Sequence, residues 1–372
     1  MSKAVYLDYN ATAPIHSEVV EAMAAVMTAG GNPSSVHQSG RTARNRVEEA
    51  RAALADLINC KSPEVIFTSG GTEANNFALS AAAERSLFVS AAEHDSVLAA
   101  AGEGAVRLPI TSDGILDMDV LRAALAAAET PAFVSVMLAN NETGVIQPIR
   151  EIAEIVHEQG GLLHCDAIQA VGKIPVDFKA LGVDLMSVSA HKFGGPQGIG
   201  ALILREGLAV PAFIRGGGQE LGRRAGTENV AAIAGLGVAA AAAGDIIAQG
   251  EAIAALRDRM EARISELSPA SRIYGRKAAR LPNTSAIEMP GVASELQVMS
   301  FDLDGFAVSA GSACSSGKVK ASHVLSAMGA SEEAAGTAIR ISLGWRTSDA
   351  DIDAFIDSWG RLYKRKSPKF AA

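Results

Sequence analysis

Short apolar runs alternate with helix-patterned stretches through most of this chain, and that rhythm restricts the fold more than any other feature. Residues 65–67, 87–89, 133–138, 162–165, 185–188 and 201–204 read as short buried strands. Residues 44–58, 118–128 and 149–159 carry helical patterns between them. Strands that alternate with helices build a parallel sheet with crossover helices. Near-continuous apolar strands fit a sheet covered on both faces. The expected class is α/β, with a mostly parallel sheet flanked by helices. After Gly226 the rhythm changes. Residues 228–267 read as one Ala-rich helical region, broken near Gly244 or Gly250. A strand at 284–288, a helix at 294–301, a strand at 305–308, a helix at 322–328, a strand at 338–343 and a helix at 350–363 follow. That is a smaller α+β unit. The 372 residues divide accordingly into a large domain over 15–250 and a small domain from 1–14 and 251–372.

Composition removes several function classes. Lys and Arg total 33 against 41 Asp and Glu, a net charge of −8, which leaves no electrostatic footprint for nucleic acid or an anionic membrane. The longest weakly apolar run, 230–244, is mostly Ala and Gly and stops at Asp245, short of the roughly 20 strongly apolar residues of a span. The opening residues carry no apolar core of a secretory leader. Cys60, Cys165 and Cys314 lie far apart and are odd in number, so they suggest no disulfide framework. The expected compartment is the cytoplasm. No CxxC occurs and the seven His are scattered, so no metal of its own is expected.

Two glycine-rich stretches imitate nucleotide loops. Gly311 to Lys318 has five residues between its glycines, where a P-loop has four, and Val319 follows the Lys. Gly194 to Gly200 misses the dinucleotide spacing. A sharper signal is Phe67-Thr68-Ser69-Gly70-Gly71-Thr72-Glu73, a strand running through a Gly turn into a helix near Thr72. A helix N-terminus offers free N–H groups to a phosphate. An ordinary strand–helix turn capped by Thr fits these residues equally well. Two later stretches tip the balance. Leu162 to Asp166 ends a buried strand on an acid, at the edge where parallel sheets bind ligands. Ser187 to Lys192 ends another strand with Ser, His and Lys before a run of glycines. Such a Lys suits a Schiff base, and an Asp is the expected partner of a pyridinium nitrogen. A surface Lys and a capping Asp are the plainer alternative, weakened by the order phosphate turn, acid, lysine.

Taken together, these stretches closely resemble the class V aminotransferase group of pyridoxal-phosphate enzymes (fold type I), and within it the cysteine desulfurases of the NifS/IscS kind. The resemblance runs almost end to end: Tyr6 to Thr12, Asn32 to Ser35, residues 68–76, Glu93-His94, Asn140 to Gly144, Asp166 to Gln169, Ser189 to Lys192, Arg223 to Thr227, Gly311 to Cys314, and Arg340. It implies that Lys192 holds pyridoxal 5'-phosphate as a Schiff base and that Asp166 pairs with the pyridine nitrogen. It implies His94 stacked on the ring and able to move protons, and Gln169 bonded to the phenolate oxygen. Gly71, Thr72, Ser189 and His191 would bind the phosphate, and Thr227 would reach the neighbouring site of a homodimer. Asn141 and Arg340 would hold the substrate carboxylate; an Arg fork suits a planar carboxylate.

Cys314 sets the subfamily. It lies in a small, polar stretch, Ser309 to Gly317, which suits a thiol that must travel and resembles the longer loop of group I desulfurases. Cys165 reads as core filler and Cys60 carries no functional signal. The implied reaction removes sulfur from L-cysteine, giving L-alanine and a Cys314 persulfide. The sulfur then passes to an acceptor protein such as an iron–sulfur scaffold, and Cys314 could touch a cluster in passing. A selenocysteine lyase, a C–S lyase or an aminotransferase of the same group is the alternative.

Overall fold

The computed structural model describes residues 4–311 and 321–366. Among these, the largest sheet has seven strands, in the spatial order Val65–Thr68, Gly200–Leu204, Leu185–Ser189, Leu162–Asp166, Ala132–Ser135, Ser86–Ser90 and Val106–Leu108. All pairings are parallel except those of Gly200–Leu204, which runs antiparallel to both neighbours. The two-residue side-chain period of a strand divides the apolar runs between two cores. Val65 and Phe67 pack in one core with Leu54 and Ile58, while Ile66 joins Phe77 and Leu202 in the other. The sheet is thus covered on both faces, as its unbroken apolar strands require.

The Ala-rich region is two helices, Val230–Ala248 and Gly250–Leu267, parted at Gln249. The first is long and apolar enough to cross a membrane by length and composition alone, and half of it is buried in the fold. Its glycines explain the burial. A Cβ on Gly237 would lie 2.7 Å from the Cα of Ala50, so helix Gln38–Leu57 approaches to backbone contact. The second helix turns away, and its Ile253, Met260 and Ile264 join a separate core with Ile339, Phe355 and Trp359.

That core backs an antiparallel sheet ordered Ser309–Ala310, Ala338–Ser342, Thr284–Glu288 and Ile273–Tyr274. The expected strand at 305–308 is shorter, and a second strand follows it where a loop was expected. Phe306–Ala307 pairs in parallel with Val5–Tyr6, and Ser309–Ala310 joins the four-stranded sheet. The chain's first segment is threaded between the units: Asp8 bridges to Ser342, and Ala13 N–H donates to His191 O at 2.8 Å. Two strand-end loops of the large sheet and this segment therefore converge on one place.

Candidate active site

Four strands of the large sheet end on polar residues at the same edge, where parallel sheets leave a crevice. Thr68 leads into Gly70-Gly71, Ser90 into Glu93-His94, and the other two strands end on Asp166 and Ser189. A cavity of about 290 Å³ opens there. Gly71, Thr72, His94, Asn141, Asp166, Gln169, Ser189, His191 and Lys192 all line it. The sequence pattern had named each of them. A larger hollow of about 570 Å³ lies elsewhere, over Arg51 and Glu220, whose charges already satisfy each other at 2.8 and 2.9 Å.

One wall is built for an anion. Helix Gly71–Ser80 opens behind Gly70, which has φ 151° and supplies no side-chain cap. Its first N–H groups have no partner within the helix. A Cβ on residue 71 would lie 2.3 Å from Ile168 Cδ1, so any larger residue there would push the Ile168 side chain aside.

The opposite requirement, a place for a cation, is met by Asp166. It is 4% exposed and accepts from Asn75 Nδ2 at 2.8 Å and Ile168 N–H at 3.0 Å. Burial raises its carboxyl above the ordinary range, against those two donors. A pyridinium beside it would restore the charge. Asn75 also donates to Ser96 Oγ at 2.9 Å, and Ser96 Oγ lies 2.9 Å from His94 Nδ1. His94 caps helix Asp95–Ala101 by accepting from Ser96 N–H at that same Nδ1, so the neutral ring carries its proton on Nε2. Burial lowers His94 and keeps it neutral. Lys192 reaches in from the end of strand Leu185–Ser189 and donates to Asn10 O at 2.6 Å and Ala11 O at 2.9 Å. His191 is pushed down to about 4 by burial, with Lys192 and Lys173 adding to the effect. The acid, the amine and the bare helix N-terminus around one cavity fit pyridoxal phosphate.

Three expected residues stand apart. Arg340 does not line the cavity; it lies behind Asn141, donating to its carbonyl at 3.2 Å and to Asp8 Oδ1 at 2.7 Å. Its buried Nε has no partner among the described residues, a donor in reserve beside the site. Thr227 is exposed, in a cleft with Ser69, Arg224 and Asn229. Cys314 lies outside the described residues. Cys165 is sealed in the core and Cys60 is pushed up to about 12 by burial, so neither is poised as a thiolate. Asn75, Ser96, Lys173 and Asn10 were missed, because nothing in their local pattern marks partners up to 332 residues away.

The family model described as aminotransferase class-V matches residues 5–355. The chain belongs to this family of pyridoxal-phosphate enzymes. It is 43% identical to a cysteine desulfurase of Cereibacter sphaeroides, over 95% of this chain and 94% of that one. The solved structure of a NifS-like protein from Rickettsia africae superposes with a TM-score of 0.91 at 37% identity, covering 97% of this chain and 99% of that one. Another, of SspA in complex with cysteine, gives a TM-score of 0.78 at 30% identity, covering 91% and 99%. Within the family, this chain is one of the cysteine desulfurases.

Proposed function

We propose that this cysteine desulfurase converts L-cysteine to L-alanine, with Lys192 as the base and Cys314 as the group that receives the sulfur. The observation that carries the reading is the single cavity in which Lys192, Asp166 and His94 meet the open helix at Gly71. The solved relative that holds cysteine supports the substrate. Bound pyridoxal phosphate supplies a carbonyl carbon for the substrate's amine and a ring that withdraws electrons from its Cα.

The chain's own groups do the rest. Gly71, Thr72, Ser189 and His191 hold the phosphate. Asp166 keeps the ring nitrogen protonated, with Asn75 steadying the carboxylate. Gln169 bonds the phenolate oxygen, and His94 stacks on the ring. Asn141 and Arg340 take the substrate carboxylate once Arg340 loosens from Asp8. Lys192 Nζ removes the Cα proton. The Cys314 thiolate attacks the substrate sulfur: an S–S bond forms, the C–S bond breaks, and its electrons stay on carbon. That carbon collects protons and leaves as alanine. The persulfide then passes its outer sulfur to an acceptor protein, of the kind that assembles iron–sulfur clusters. Exposed Thr227 serves the phosphate of a second copy, which makes the working unit a homodimer. Cys60 and Cys165, free cysteines among the described residues, fit the cytoplasm as its proposed place.

The test is product analysis with pyridoxal phosphate, L-cysteine and a thiol reductant, run beside Cys314→Ala. Equal alanine and sulfide, lost in the variant, is the expected result. Pyruvate, or undiminished activity in the variant, would show a lyase that does not use Cys314.

A further inference from the structure

Lys173 is 9% exposed and lies one helical step beyond Gln169, behind the cavity wall. Its ammonium donates to Gln169 Oε1 at 2.5 Å and to Asn10 Oδ1 at 2.7 Å. The charged groups that bear on it are cations, Lys192 and Arg340, and His191 is in turn lowered by it. Among the described residues it has no carboxylate partner, and burial, with Lys192 and Arg340 adding to it, holds Lys173 well below the usual lysine range, so a Lys here is costly to keep. Folding alone gives no reason to keep one where Met would pack as well.

The hydrogen-bond inventory suggests what it does. The Asn10 carbonyl only accepts, so the Gln169 NH2 faces it and the Gln169 atom facing Lys173 is the carbonyl oxygen, to which the amine donates. The Gln169 NH2 is thereby turned the other way. One of its hydrogens goes to Asn10 O at 2.9 Å, the carbonyl that also accepts from Lys192. The other is left for the cavity that Gln169 lines. Asn10 is fixed in its turn, since its Nδ2 donates to Thr284 Oγ1 at 2.9 Å and to Asn141 O at 3.1 Å. We propose that Lys173 is a positioning residue that locks the Gln169 amide with its NH2 toward the cofactor. Without it, the Asn10 carbonyl alone would hold the amide that way round, and a carbonyl turned to the cavity would repel a phenolate.

This rests on the reading of Gln169 as the donor to the phenolate oxygen. A donor there favours the negative charge, which is fullest once the neighbouring Lys192 nitrogen has lost its proton. The locked amide therefore lowers the pH at which the visible band of the holoenzyme changes. Lys173→Met should raise that midpoint by about one pH unit, as a charge-assisted hydrogen bond would. Gln169→Leu should raise it similarly, and Lys173→Met should add nothing in the Gln169→Leu background. A midpoint moved by Gln169→Leu but unmoved by Lys173→Met overturns the proposal. So does a Lys173→Met shift that persists in the Gln169→Leu background, since Lys173 would then act by its own charge. If neither variant moves the midpoint, the reading of Gln169 itself is refuted. Should Lys173→Met fail to fold, Lys173→Arg keeps a donor and should hold the wild-type midpoint, while Lys173→Gln, able to meet Gln169 either way round, should raise it. The reverse order would sink the idea equally.

Discussion

Asn75 is the side chain that donates to the Asp166 carboxylate proposed to face the cofactor's nitrogen, and Asn75→Leu isolates its contribution. The residue is 0% exposed, and its Nδ2 spans Asp166 Oδ2 at 2.8 Å and Ser96 Oγ at 2.9 Å. Leucine is close to it in volume, so packing changes little, but Asp166 keeps only the Ile168 N–H donor. A hydrogen bond to a charged acceptor is worth about 1.5–3 kcal/mol. At 1.4 kcal/mol per factor of ten, pyridoxal phosphate should bind about 10- to 150-fold more weakly. The apoprotein should suffer less. Burial raises the Asp166 carboxyl, so without a cation beside it less charge is there for Asn75 to support. The apoprotein should lose about 1 kcal/mol, the net value of an ordinary hydrogen bond. Equilibrium titration of apoprotein with the cofactor gives the first number, and urea unfolding of apoprotein gives the second. A dissociation constant within threefold of wild type would refute the electrostatic role. An apoprotein loss as large as the binding loss would make Asn75 a packing residue.

Three further effects follow from buried groups away from the reacting atoms. Glu261 and Arg280 are 3% and 5% exposed and share two bonds of 2.8 and 2.9 Å, with Ser285 Oγ adding a third at 2.7 Å; Glu261→Ala leaves a buried charge alone and should cost about 3–5 kcal/mol in urea unfolding, whereas an unchanged midpoint would mean that water reaches the pair. Gly237→Val drives a Cβ to 2.7 Å from Ala50 Cα, so overpacking should cost at least about 1–3 kcal/mol and lower the melting temperature; an unshifted melt would contradict the close approach of the two helices. His164, held between Ser135 and Ser187 at 2.9 Å each, is pushed down to about 3 by burial. Its folded pKa lies below the unfolded value of about 6.5, so its share of stability is whole above pH 6.5 and drains away as pH falls toward 3, by about 4 kcal/mol. The difference between wild type and His164→Asn should therefore shrink steadily over that range, and a pH-independent difference would exclude the mechanism.

The parts of the fold that the sequence reveals are those a local pattern encodes. The strand at 284–288 is found where alternation and its flanks place it, and the central strands differ from expectation by one or two residues at their ends. The run at 133–138 is shorter as a strand, Ala132–Ser135, although Val136 and Leu138 still donate to His164 O and Asp166 O. Edge strand Val106–Leu108 went unseen, because it is three residues long and only Leu108 is buried. The short strand Phe306–Ala307 depends on pairing with Val5–Tyr6, three hundred residues away, which no window contains. The site divides in the same way. Its glycine turn, acid and lysine each end a strand and announce themselves, whereas Asn75, Lys173 and Asn10 are ordinary residues until the fold supplies their partners.

The position of Asn10 explains why the site needs both units. The large sheet alone would present the acid, the lysine and the helix N-terminus, enough to seat a cofactor. The substrate end depends on the first segment of the chain, which the small sheet holds: Asn10 N–H donates to Ser342 Oγ at 2.9 Å and its side chain to Thr284. From there its carbonyl reaches Lys192 and Gln169, and its Oδ1 reaches Lys173. Arg340 stands on the same small sheet, tied to Asp8 two residues before Asn10. A shift of the small sheet therefore moves Arg340 and the segment that receives the lysine's hydrogen bonds together. On the proposed reading, cofactor binding belongs to one sheet's edge, and substrate alignment to the strap that joins it to the other.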